Sequence, residues 1–464
     1  MKFNKRYTYL YGLLNDILRE LATYFTFTLN RRTTLFAIMI IIAVVIFDST
    51  IVAISSYGGL EAPEFINTIL FLIIFLVFAF VSLVLIKFAK NILNSYSFVS
   101  ISRALRYSDA IMVTTQILTI SLIILIMLQI FITNQYSITL LRAQTYVSHI
   151  SATVILSFLI FMFGKWLASK RNYTVAIYTF SFLLVGINLI VSLIYLDAYF
   201  SISPKPDVSS YPIVSYVTNL SPSITTDLFS RLFDILSLIS FLFLWLATAN
   251  LLKQYRHKLG RVKYFVPIGL PLVYYVYPFQ SFFGDPFLPL LQSLPPSFSI
   301  AYILIFSATK QVGALLFSFA FLTASSLIND DRVRKSLLIS AIGIAILVGS
   351  IEITPLQYHV YPPYGIITMA FLPLGTYLLF VGILISAKNI SRDAELRKLF
   401  YKRAESQLNL LRAIGISEME KEIVKQVRSL EDNITVPAPE PETLSDEKVR
   451  DIIHDVLTEL YKSK

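Results

Sequence analysis

The chain has 464 residues, 56% of them hydrophobic and only 15% charged, with a mean hydropathy of +0.68. That balance excludes an ordinary soluble domain, in which charged residues make up about 25%. Cysteine is absent, which excludes disulfides, thiolate metal sites and a cysteine nucleophile. A net charge of +10 would suit a nucleic-acid partner, but after residue 387 there are 14 basic against 15 acidic side chains. The excess therefore belongs to short segments beside apolar runs, and a nucleic-acid role loses its support.

Residues 1–33 place Phe3, Tyr7, Leu10, Leu14, Ile17, Leu18 and Leu21 at helical spacing opposite Lys5, Arg6, Asn15, Asp16 and Arg19. This pattern predicts an amphipathic segment lying in the headgroup zone. A cationic stretch of this length before the first apolar run does not read as a cleavable signal.

From 34 to 387 the chain reads as an all-α transmembrane bundle in contact with the lipid bilayer. A bilayer core of about 30 Å needs roughly 20 apolar residues. Ten such runs occur, near 34–55, 66–86, 111–133, 150–168, 174–196, 235–252, 264–280, 300–325, 336–354 and 364–387. The seventh carries Pro267, Pro271 and Pro278, each lacking a helix donor. Alternate loops and the amino terminus hold 21 Lys and Arg, whereas the other loops hold Arg142, Lys205 and Arg231. By the positive-inside rule both termini are expected in the cytosol of a multi-pass protein of the cell membrane.

Proline is distributed unevenly, with Pro63 alone in residues 1–203 and eighteen afterwards. Outside the tail these prolines lie with Tyr and Phe in loops expected to face outward, where they form either a stiff vestibule or an interfacial aromatic belt.

The tail is charged and helix-forming from 388 to 433. Ile390, Ala394, Leu399, Leu408, Leu411 and Ile414 share one face, Gly415 is expected to interrupt, and Ser417 with Glu420 forms a capping box that restarts the helix. A helical hairpin or a kinked rod follows from this. Residues 434–444 form a proline-rich linker of about 30 Å in extended form. In the last segment, 445–464, Val449, Ile452, Ile453, Val456, Leu457 and Leu460 make one apolar stripe, suited to cis docking, self-association or a protein partner. The run ISRDAELRKLFYKRAESQLNLLRAIGISEMEKE, residues 390–422, resembles the cytosolic end of uncharacterised polytopic membrane proteins from archaea. The resemblance implies an archaeal source and carries no activity or site residues.

Two ionisable residues lie well inside predicted spans, Asp48 and Lys310. A charge in hydrocarbon needs a partner or water, so Asp48 and Lys310 form a candidate intramembrane polar site with Ser307 and Gln311, and Glu352 is a rival partner. The motifs HExxH and GxSxG and a glycine-rich phosphate loop are missing. His149, His257, His359 and His454 are scattered, and Glu61 with Glu64 is a weak glycosyltransferase-like signal. No cofactor is implied. The leading reading is a receptor or scaffold with Tyr/Pro-rich outer loops and a helical interaction tail. Its alternatives are a secondary transporter around Asp48 and Lys310, and a membrane enzyme on a lipid-linked substrate.

Overall fold

The computed structural model describes residues 31–56, 64–95, 103–133, 135–169, 172–202, 224–253, 256, 260–272, 313–326, 328, 330–351, 362–392, 410, 414–415 and 417–419. The amphipathic amino-terminal segment, most of the proline-rich loops, the linker and the last apolar stripe lie outside them.

Among the described residues every regular element is helical. They are α1 (Arg31–Ser56), α2 (Glu64–Ser95), α3 (Arg103–Thr133), α4 (Ile138–Ser169), α5 (Tyr173–Ile202), α6 (Ile224–Lys253), α7 (Arg261–Gly269), α8 (Gly313–Ser326), α9 (Asp331–Ile351), α10 (Ile366–Ala370) and α11 (Leu372–Arg392). Seven helices are long and apolar enough to cross a membrane: α2 to α6, α9, and the stretch from Ile366 to Ser391. Shorter apolar stretches, Phe36–Asp48 within α1 and Gly313–Ser326, fall in the first and eighth expected spans. The expected seventh span is described only as α7 and a 3-10 turn, Leu270–Leu272. Pro271 has no N–H to offer the Ile268 carbonyl, which accepts the Trp245 indole N–H at 2.9 Å.

The helices run past the charge-free windows that mark them in the sequence. Helix α4 starts at Ile138, so Arg142, Gln144, Thr145, Ser148 and His149 are helical, and α3 includes Asp109. Hydrophobicity reports only the hydrocarbon-facing part, whereas a helix keeps its backbone satisfied beyond it. Local caps set several starts. The Asn172 side chain accepts the backbone N–H groups of Thr174 (2.9 Å) and Val175 (3.3 Å), and that of Asp330 accepts Val333 N–H at 2.8 Å.

Helix α11 is the hub, buried on every side and packed by α9, α4, α3 and α2. Its contact with α9 is backbone-close. Ser336 Oγ meets Ser386 Oγ at 2.7 Å, Gly382 faces Ser340, Gly343 faces the Leu379 backbone, and Gly375 faces Leu347. One number rises as the other falls, which fixes an antiparallel register, and a small residue stands at each crossing. A methyl at Gly375 would lie 2.7 Å from Leu347 N, and one at Gly382 would lie 2.6 Å from Ser336 O. By contrast Phe36, Ile73, Leu125, Phe131, Phe161 and Leu183 are exposed on the outer helices, as lipid contact requires.

Gly375→Val should therefore destabilise the bundle by about 1–3 kcal/mol through overpacking. Gly164→Ala, with no heavy atom near its added methyl, should be neutral or stabilising by about 0.5–1 kcal/mol. Thermal melting in detergent compares the two, and equal shifts would contradict the close α9–α11 contact.

Candidate functional site

Three polar constellations stand out in an otherwise apolar bundle. The first is built on Asp48, which is fully buried on α1. Gly365 adopts a left-handed φ of 89° just before α10, and its N–H reaches both Asp48 carboxylate oxygens at 3.1 Å. The Thr368 N–H donates to Asp48 Oδ2 at 3.2 Å, and the Thr368 hydroxyl donates to the same oxygen at 2.5 Å. Every contact is a donation, the pattern an ionised carboxylate accepts. Asp48 thus caps a helix from another part of the chain. Beside it the Tyr364 hydroxyl donates to Asn67 O on α2 at 2.7 Å, and its ring meets Phe71 edge-on at 5.7 Å.

The other expected members, Lys310, Gln311, Ser307 and Glu352, lie outside the described residues. Among the described residues the carboxylate's partners are backbone and hydroxyl donors from Gly365 and Thr368. Further along, in the second turn of α11, the Tyr377 hydroxyl donates to Asp109 Oδ1 at 2.9 Å, while Lys90 Nζ lies 4.0 Å from Asp109 Oδ2.

The second constellation is a seam through α2 to α5. Gln116 Nε2 donates to Ser82 Oγ (2.7 Å), Thr115 Oγ1 to Ser151 Oγ (2.7 Å), and Gln144 Nε2 to Ser148 Oγ (3.0 Å). His149 is buried, with Nδ1 3.0 Å from Thr145 O and Nε2 3.4 Å from Ser192 Oγ. A carbonyl can only accept, so Nδ1 carries the hydrogen and Nε2 takes the serine proton. Sequence reasoning set His149 aside as one of four histidines scattered along the chain. The recurrence of Gln116, Gln144, His149 and Asn188 inside long helices was the available signal.

The third joins the tail to the bundle. Trp166 Nε1 on α4 donates to Glu418 Oε2 at 3.3 Å, and Ser417 Oγ donates to Trp166 O at 3.4 Å. The residue after Gly415 lies outside the described ones, and Gly415 itself is helical. It lies so close to Ile390 that no side chain fits, and Ser417 turns to Trp166. Leu410, Ile414 and Met419 are buried around this contact.

Among the described residues no three His, Asp or Glu side chains converge as metal ligands would. The long apolar helices and lipid-facing surface define an integral, multi-pass membrane protein. Compared with family models, curated proteins and solved structures, the chain matches none.

If Asp48 is the cap of α10, Asp48→Leu should lower stability by about 2–4 kcal/mol, because it leaves buried donors unpaired. Thr368→Val, which removes only the hydroxyl, should lower it by about 1 kcal/mol. Melting of the purified protein checks the order, and a neutral Asp48→Leu would discard the clamp.

Proposed function

We propose that this chain is a membrane protein of receptor or scaffold type that presents a cytosolic helical tail against the inner face of its bundle. The observation that supports it is the seating of Ser417 and Glu418 on Trp166. Trp166 ends a helix that reaches the opposite rim of the bundle at Arg142, so a disturbance at that rim has a rigid route to the tail. Beyond the anchored segment, the linker and the apolar stripe from Val449 to Leu460 would supply a tethered surface for a partner. Ten crossings with both ends in the cytosol of a cell-membrane protein complete this reading, on the 21 to 3 division of basic residues between alternate loops.

A second reading, secondary transport, draws on the polar seam through α2 to α5. The Asp48 carboxylate is already engaged by three donor groups, which favours a structural role over a substrate site there.

Limited trypsin digestion of the membrane-embedded protein tests the anchored tail. Trp166→Ala and Glu418→Ala should speed cleavage after Arg412 by about tenfold, the effect of losing one charge-assisted hydrogen bond. Unchanged rates would remove the tail from the bundle and the receptor reading with it. In this cysteine-free chain Ser209→Cys should label from outside and Ser406→Cys only after permeabilisation. Labelling of both from one side would overturn the orientation.

A further inference from the structure

Helix α5 carries a file of polar side chains along most of its length. From one rim to the other these are Asp197, Ser192, Asn188, Ser181, Tyr178 and Thr174, a span of about 35 Å at 1.5 Å per residue. At the first rim Arg142 Nε lies 3.2 Å from Asp197 Oδ1, with side chains 35% and 43% exposed, so water reaches this pair. About 7 Å further in, the Ser192 hydroxyl faces His149 Nε2. At the other rim Asn250 Nδ2 on α6 donates to Thr174 Oγ1 at 2.8 Å.

Between these fixed points Ser181 donates to Ile177 O of its own helix at 2.7 Å, whereas other members of the file are unsatisfied. Both polar atoms of the fully buried Asn188 side chain lack a hydrogen-bond partner, as does Gln144 Oε1, while Tyr178 Oη and Thr248 Oγ1 have only each other to turn to. Each such group is costly in hydrocarbon, and Asn188 alone has four bonding positions to fill. Small polar molecules bonding at Asn188 and at the Tyr178–Thr248 step would relieve the groups there. Water is the molecule that fits, since it donates and accepts in equal number.

We propose that the seam between α4, α5 and α6 is a water-lined proton path, with His149 as its one titratable relay. The ring geometry suits the role. Nδ1–H stays on the Thr145 carbonyl, so Nε2 is the site that takes a proton from the Asp197 side and returns it to water on the Asn188 side. Each passage leaves the imidazole neutral and all atoms balanced. The charged ring is short-lived because it sits in a poorly solvated place. On the elements packed against it, the titratable or charged groups toward this end include Arg142 and Tyr146 on α4 itself, Tyr195 and Asp197 on α5 and Tyr377 on α11. Helix α3 offers only Thr115, Gln116 and Thr119 at this depth, and α10 offers no titratable side chain.

The full chain in liposomes with a trapped pH dye, driven by a potassium diffusion potential with valinomycin, tests this directly. Vesicles holding the protein should acidify about tenfold faster than lipid alone. His149→Leu should fall to the lipid background, and His149→Gln, which keeps a hydrogen-bonding side chain but cannot titrate, should fall with it. Asn188→Leu should slow the flux about tenfold, the worth of one hydrogen-bonded bridge. Exposed Ser157→Ala should leave it unchanged. Wild-type vesicles no leakier than lipid, or a folded His149→Gln that conducts like wild type, would overturn the proposal. Neither result touches the tail anchored on Trp166, whose test is proteolytic.

Discussion

The contact on which the rest of this structure depends is the backbone-close pairing of α9 with α11. Within lipid, two apolar helices gain little by exchanging lipid contacts for each other, so association must come from close dispersion contact and polar bonds. Gly343, Gly375, Gly382 and the Ser336–Ser386 hydroxyl pair supply both along one antiparallel line. The pair buries its side chains almost completely and so offers the other helices a fixed post.

Polar bonds then fasten neighbours to that post at two depths. Near one end Asp48 ties α1 to the start of α10 through Gly365 and Thr368, and Tyr364 adds α2 through Asn67. Deeper along α11, Tyr377 holds Asp109 of α3, with Lys90 of α2 nearby. Pro373, in the first turn of α11, has no N–H for the Met369 carbonyl, which separates the short α10 from α11, and the N–H groups of Gly365 and Thr368 are free for Asp48 because they lie at the start of α10.

Much of this was legible in the residues, but unevenly. The apolar runs near 66–86, 111–133, 174–196 and 364–387 locate helices because the hydrocarbon demand is one-dimensional and can be counted along the chain. Asp48 could be singled out for the same reason. Its partners could not, because Gly365 and Thr368 lie more than 300 residues away and carry no charge to advertise themselves. Gly415 is a related case. A glycine that ends a helix and a glycine that admits a neighbour look alike in sequence, and only the approach of Ile390 distinguishes them. His149 was hidden because Arg142, Gln144, Thr145 and Ser148 make the start of α4 look like a loop, although their burial is supplied by α3 and α5.

Helix α4 is where these strands of argument meet. It packs on α3, α5, α10 and α11, carries an ion pair at one rim through Arg142, a histidine at mid-length and, at the other rim, the tryptophan that holds the tail. Its face toward the core is not uniformly greasy. Apolar Ile155, Leu156, Leu159 and Phe163 fill the half nearer Trp166, whereas Gln144, Thr145, Ser148 and His149 fill the half nearer Arg142. The apolar half interlocks with Tyr178 and Phe182 through ring contacts at 6.4 and 5.4 Å, which leaves little room for sliding. The polar half is held by hydrogen bonds that can exchange partners with water. One helix is thus fastened by ring packing in the half that carries the tail contact and by hydrogen bonds in the half that carries the histidine.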